Sequence, residues 1–161
     1  MTGKDIQDEE NVKIVCRNRK ARHLYHLIEE YEAGLVLTGT EVKSLRQGKV
    51  SLPESYVQLR QGEVFLVGCH IEEYSQGNRH NHDPLRDRKL LLGAREIQRL
   101  QIRVLERGFT LVPLSIYFRG GWAKVKFALG RGKNLFDKRE DLKRRTDQRE
   151  TEREIRRSQQ V

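Results

Sequence analysis

Apolar and polar positions change their spacing several times along this chain, and each change marks an element. Val12–Cys16 (VKIVC) is a β-branched run that predicts a strand, followed by Asn18 as the expected N-cap of a short basic turn over Asn18–His23. From Tyr25 to Leu37 the apolar residues Tyr25, Leu27, Tyr31, Ala33, Leu35 and Leu37 alternate with polar ones, only Glu29 breaking the inward row. That period of two predicts one long strand, with a bulge or bend at Gly34. Thr40–Gln47 reads as a short helix, with Thr40 as its cap, Glu41 in the first turn, Lys43 and Arg46 near the end and Gly48 as the stop.

Tyr56–Leu59 and Val64–Val67 read as strands joined by the hairpin signal Arg60-Gln61-Gly62-Glu63. Tyr74–Pro84 is polar and turn-rich, and Lys89–Leu92 is a brief apolar strand. Ile97, Leu100, Val104 and Leu105 fall at helical spacing within Ala94–Arg107, which Gly108 closes. Phe109–Phe118 and Trp122–Leu129 flank the turn Arg119-Gly120-Gly121, and Pro113 is expected at an edge or bulge because it has no N–H to donate. The fold class expected is mainly β: an OB-fold-like barrel of six to seven strands, two or three accessory helices and a basic C-terminal tail. An α+β sheet of the ferredoxin-like kind is the alternative.

The last residues have no such pattern. Leu135, Phe136, Leu142, Ile155 and Val161 form no stripe, while Gly and Pro are missing after residue 132. Helix propensity is therefore good, but burial is too scant to offset ordering entropy of ~1–2 kcal/mol per residue. Opposite charges at i,i+4 (Glu140–Arg144, Asp141–Arg145, Glu152–Arg156) add only ~0.2–0.5 kcal/mol each. The organisation expected is an acidic flexible N-terminus (1–11), an OB-like barrel (12–130) and a basic tail (131–161), disordered or a nascent helix when free. A solvated tail without a task is the other reading.

Composition narrows the function. The chain has 161 residues, with 32 Lys+Arg against 23 Asp+Glu, a net charge of +9. Residues 1–11 are acidic, and the basic excess lies in the body and the tail, as on a surface that follows a polyanion. No apolar run spans a bilayer, so no membrane partner is expected. Met1–Asn11 lacks the basic and apolar segments of a secretory signal. Cys16 and Cys69 have no CxxC spacing and read as free thiols of a reduced, cytoplasmic protein.

Catalytic signatures are weak. GxxxxGK[ST], GxSxG, HExxH and a helix-opening GxGxxG are all missing, and Gly130-Arg131-Gly132-Lys133 is too short for a phosphate loop. His80, His82 and Asp83 form an HxH-D cluster in a loop read as solvent-exposed, which lacks the fixed geometry a metal needs. No catalytic residue, metal or cofactor is expected. The candidate chemistry is a composite basic surface: Arg17, Arg19, Lys20 and Arg22; Arg86, Arg88 and Lys89; Arg119, Lys124 and Lys126. His23 stands either against phosphate and 2′-OH groups or in a local backbone cap. Trp122 either stacks on an unpaired base, at ~1–3 kcal/mol, or packs in the core. Tyr31, Tyr56 and Phe65 read as core.

Several separated motifs are shared with one family. They are Asn18-Arg19-Lys20-Ala21-Arg22-His23 followed by Tyr25; Glu29-Glu30-Tyr31-Glu32-Ala33-Gly34-Leu35; and Gly39-Thr40-Glu41-Val42-Lys43-Ser44-Leu45-Arg46. Asp83-Pro84 with Arg86, Arg88 and Lys89-Leu90-Leu91-Leu92 follows, then Trp122 with Lys124-Val125-Lys126, then Gly130, Gly132-Lys133 and Asp137-Lys138-Arg139. Together they closely resemble the SsrA-binding protein family, from about Val12 to Arg139 and more loosely beyond. The resemblance implies an OB-fold adaptor that binds the tRNA-like domain of tmRNA and delivers it to stalled 70S ribosomes for trans-translation. The tail would enter the decoding centre and mRNA channel of the small subunit.

By the same resemblance Glu32, Leu91 and Lys124 serve tmRNA binding, His23 and Trp122 act nearby, and Gly132, Lys133, Phe136, Asp137, Lys138 and Arg139 form the ribosome-engaging part of the tail. The protein is expected to work as a monomer. Physically, Lys124 suits a phosphate, whereas Glu32 repels one and is expected to hold a basic or loop group by a charge-assisted hydrogen bond. Leu91 is expected to pack the binding loop or touch a base. Gly93, Asn134 and Phe136 depart from the polar or His, the Lys, and the Tyr or His that are frequent at those positions. The competing readings are a general single-strand-binding OB protein and a small RNA-processing enzyme using His23 with an acidic partner such as Glu32.

Overall fold

The computed structural model describes residues 11–105 and 108–160. Nine strands and four α-helices follow in the order β1 (Val12–Arg17), α1 (Ala21–Leu24), β2 (Tyr25–Leu35), α2 (Gly39–Arg46), β3 (Val50–Ser51), β4 (Tyr56–Arg60), β5 (Glu63–Val67), β6 (His70–Ile71), β7 (Arg88–Leu91), α3 (Ala94–Val104), β8 (Phe109–Arg119), β9 (Trp122–Gly132) and α4 (Leu135–Gln159). Seven of them form one antiparallel sheet in the order β1-β8-β4-β5-β7-β2-β9, and β8 also pairs with β9, closing the sheet on itself. β1 (Ser115–Arg119 on β8) and β4 (Leu111 on β8) share one edge of β8 because β9 occupies the other along its whole length. The closed ring is the OB-like barrel expected from the strand pattern, and β3 with β6 forms a separate small ladder.

The barrel is filled by Val64, Leu66, Leu90, Ile116, Val125, Phe127 and Leu129, with Leu45 of α2 and Leu100 of α3 plugging it. Each such side chain stabilises the fold by roughly 1.5–3 kcal/mol on burial. Tyr31 joins from the rim, stacked on Phe127 with centroids 5.5 Å apart. The hairpin turn Gln61-Gly62 takes two left-handed residues (φ 48° and 78°), the geometry that matches strand twist in a two-residue loop. Pro113 lies where β8 slips against β9, at the bulge before Ser115.

Local expectations fail in instructive places. Asn18 does not cap α1; its Nδ2 donates to the Pro113 carbonyl at 3.0 Å, fastening the chain to β8. The bulge of β2 lies between Leu27 and Glu29 rather than at Gly34. Gly34 instead serves close approach: a Cβ there would meet the Leu91 Cβ at 3.3 Å. Thr38, not Thr40, precedes α2, and its N–H donates to the Glu41 carboxylate at 2.9 Å. Thr40 is left free to meet His82, which is buried rather than exposed: its ring holds Thr40 Oγ1 and the Ile71 carbonyl, each at 2.9 Å. Leu105 follows the helical period yet is 86% exposed, because α3 ends at Val104. Arg107, the expected end of that helix, lies outside the described residues. Tyr56 is exposed on the outside of β4 rather than in the core.

Candidate nucleic-acid interface

Strand alternation makes the surface. Trp122, Lys124 and Lys126 occupy every second position of β9, while Val125 and Phe127 between and beyond them are fully buried, so the three face outward. Register carries that row across the sheet. Lys124 lies opposite Tyr117 on β8 and Gly34 on β2; Lys126 opposite Ser115 and Glu32; Trp122 opposite Arg119. Next to β8, β1 places Arg17 opposite Ser115, and next to β2, β7 places Leu91 opposite Gly34. Segments from five strands thereby share one outer face.

Two concavities lie on it. An apolar groove of about 480 Å³ is lined by Trp122, Lys124, Leu91, Val36 and Phe118. Trp122 is 75% exposed there, so it does not pack in the core. A second, more polar groove of about 600 Å³ gathers Arg17, Arg19, Arg22, Lys126, Arg145 and Glu30. Lys20 faces away from it, into a small cleft beside Pro53 and Tyr56.

Glu32 is a partly buried carboxylate held by two donors of β8. Its Oε1 accepts from Arg119 Nη1 at 2.6 Å and its Oε2 from the Tyr117 hydroxyl. Burial, and then the Glu32 hydrogen bond and charge, push the Tyr117 phenol well above its ordinary range, so it remains a donor. Glu32 thus fixes Arg119 beside Trp122. Tyr117 was not among the sequence candidates, because its pairing with Glu32 joins residues remote in the chain.

The group Arg86, Arg88 and Lys89 separates. Arg88, expected at the RNA surface, is wholly buried and has no face for RNA. Its Nε donates to Glu41 Oε2 at 2.5 Å, and its other nitrogens reach the carbonyls of Cys69, Asp83 and Pro84. Arg86 is partly exposed and binds the other Glu41 oxygen at 2.5 Å and the Val36 carbonyl at 3.4 Å, at the end of the apolar groove. Burial pushes the Glu41 carboxyl up, but hydrogen bonds from Arg86, the Thr38 N–H and Arg88 outweigh it and hold the group below its ordinary value. Lys89 remains outside, 3.3 Å from Glu63.

The beginning of the tail is docked. The Lys133 side chain is 5% exposed; its ammonium donates to the Arg22 carbonyl at 2.8 Å and pairs with Asp141. Its N–H donates to the Leu24 carbonyl at 2.8 Å. His26 Nε2 lies 3.4 Å from Asp137 Oδ2. Asn134 caps α4, its Oδ1 accepting from the Asp137 N–H at 2.8 Å, a role legible in the Asn-x-x-Asp spacing. Gly132, Phe136 and Arg139 are exposed, and α4 beyond Asp141 is exposed throughout. His23 is half-buried on α1. Among the described residues, no three His, Cys, Asp or Glu side chains gather around a metal-sized space.

This arrangement has relatives. The family model described as SmpB protein matches residues 15–157. The chain belongs to that family. It is similar to the SsrA-binding protein of Geobacillus thermodenitrificans (54% identical over 149 residues, 92% of this chain and 96% of that protein). The SsrA-binding protein of Microcystis aeruginosa is 53% identical over 150 residues, covering 92% and 97%. Among solved structures, one described as "tmRNA-SmpB: a journey to the center of the bacterial ribosome" is similar with a TM-score of 0.63 at 50% identity, over 74% of this chain and 85% of that one. Against family expectation, Gly93 precedes α3 in extended conformation, and Asn134, where Lys is frequent, supplies the α4 cap.

Proposed function

We infer that the protein is a non-enzymatic RNA-binding adaptor that binds the tRNA-like domain of tmRNA and carries it to stalled ribosomes for trans-translation. One observation supports this above all: strand register collects Arg17, Lys124, Lys126, Trp122 and Leu91 from separate segments onto one outer face. Cations there neutralise phosphates with counterion release, and the exposed indole takes an unpaired base of a folded RNA. Lys124 is the phosphate contact, Trp122 and Leu91 are the base-facing groups, and Glu32 is a positioning residue acting through Arg119. Arg19, Arg22, Lys126 and His23 extend the footprint. The exposed length of α4, with Lys138 and Arg139 near its start, is the part that enters the small subunit's mRNA channel. No helix among the described residues is long and apolar enough to cross a membrane, in keeping with work in the cytoplasm.

Competition binding tests this reading. Labelled tRNA-like domain of tmRNA should be displaced by unlabelled tmRNA, poorly by ordinary tRNA and least by a single-stranded oligomer, with the RNA band intact with and without Mg²⁺. Equal displacement by the oligomer would make the protein a general single-strand binder, and new RNA fragments would make it a nuclease.

A further inference from the structure

The polar groove is built by two parts of the chain, the barrel with α1 and the helix α4. Arg17 comes from β1, Arg19 and Arg22 from the α1 region, Lys126 from β9, and Arg145 from α4, about three turns beyond that helix's start. Its floor is rigid, since Asn18 is bonded to β8 through its Nδ2 to the Pro113 carbonyl and its N–H to the Leu114 carbonyl at 2.7 Å. Glu30 lies between the cations, with its two oxygens 3.9 Å from Arg22 and 3.8 Å from Lys126. Both contacts are at the outer limit of ion pairing, and the carboxylate is half exposed, so it is a loosely held counter-ion.

We propose that this groove is a phosphodiester site shared by the barrel and α4, in which an RNA backbone takes the place of Glu30 between Arg22 and Lys126 and is gripped from the far side by Arg145. The geometry has a consequence for the tail. Lys133 ties the root of α4 to α1 through the Arg22 and Leu24 carbonyls, and His26 meets Asp137 one turn on, so the helix wall is fastened to the body at its root, well before Arg145. RNA bound across both walls orders the first turns of α4 against the barrel, and by reciprocity a docked α4 raises affinity for RNA. The proposal rests on the RNA-adaptor reading and adds to it a linkage between RNA binding and tail position.

The test uses the full chain with the tRNA-like domain of tmRNA, read by affinity across a salt series and by amide hydrogen exchange of residues 136–146. Arg145→Ala should weaken binding about fivefold and lower the slope of log affinity against log salt by about 0.7–0.9. Glu30→Gln should tighten binding several-fold, whereas Glu54→Gln, the same charge change elsewhere on the surface, should not. Wild-type amides over 136–146 should exchange more slowly with RNA bound, and Arg145→Ala should lose that protection. RNA binding without altered exchange, or an Arg145→Ala protein with wild-type affinity and slope, overturns this linkage alone. A wild-type protein that binds no RNA overturns the adaptor reading and the linkage together.

Discussion

Arg88 and Glu41 meet in the interior, Arg88 Nε donating to Glu41 Oε2 over 2.5 Å with neither side chain reaching solvent. The pair joins α2 to β7, and the same guanidinium satisfies the Cys69, Asp83 and Pro84 carbonyls of the connection above it. A buried ion pair is not by itself a large source of stability, but breaking one is costly.

Arg88→Ala should therefore destabilise the fold by about 3–5 kcal/mol, since it leaves Glu41 Oε2 and the Cys69 carbonyl buried without their donor. Lys89→Ala, one residue away on the outside, should change stability by less than about 0.5 kcal/mol. Urea unfolding of the two variants checks this. A small loss for Arg88→Ala would mean the network is open to water.

The same carboxylate predicts an acid limb. Glu41 is held below its ordinary 4.5, so it binds protons less readily folded than unfolded. Its contribution is complete above the unfolded value and disappears as pH falls through the folded one. Stability should be level from neutral pH down to about 5 and fall below 4.5, and Glu41→Gln, though less stable at pH 7, should fall less steeply. Urea midpoints at pH 7, 5 and 3.5 measure the difference.

Lys124→Ala should weaken binding to the tRNA-like domain by about 1–3 kcal/mol, as for a charged contact. Trp122→Ala should cost a similar ~1–3 kcal/mol through lost stacking. With the indole 75% exposed, it should leave thermal stability within about 0.5 kcal/mol of wild type. Trp122 is the chain's single tryptophan, so RNA titration should quench its fluorescence directly. Unchanged fluorescence at saturating RNA would remove Trp122 from the interface.

Truncation after Lys133 should leave the barrel folded, because the core residues all precede Gly130. RNA binding should persist apart from the share that Arg145 supplies, while ribosome-dependent tagging should vanish. Calorimetry, RNA titration and a translation-coupled tagging assay separate these outcomes. A collapse of the melting temperature would show that α4 supports the barrel.

Most strands could be read from the chain because alternation, β-branched runs and turn residues are local signals, whereas their order in the sheet is set by long-range pairing. The hairpin at Gln61-Gly62, the bulge at Pro113 and the exposed charge of the tail all follow from covalent chemistry or short-range sterics. The shared motifs supplied the adaptor function. Several of the errors came where a polar residue had more than one partner to choose from. Thr38 and Thr40 are both competent caps, and only the placement of His82 assigns Thr40 elsewhere.

The amino-acid sequence alone determined the kind of molecule: a strand-rich basic body followed by a polar, helix-prone extension. Tertiary structure decided which cations serve the surface. Arg86, Arg88 and Lys89 are near neighbours in the chain, yet one is half exposed, one buried and one exposed. Arg17, Lys126 and Arg145 are remote in sequence and share a groove. The reason is physical: composition sets how much charge a chain has, but sheet closure and register set the direction each side chain points, and desolvation then compels any cation turned inward to find a carboxylate.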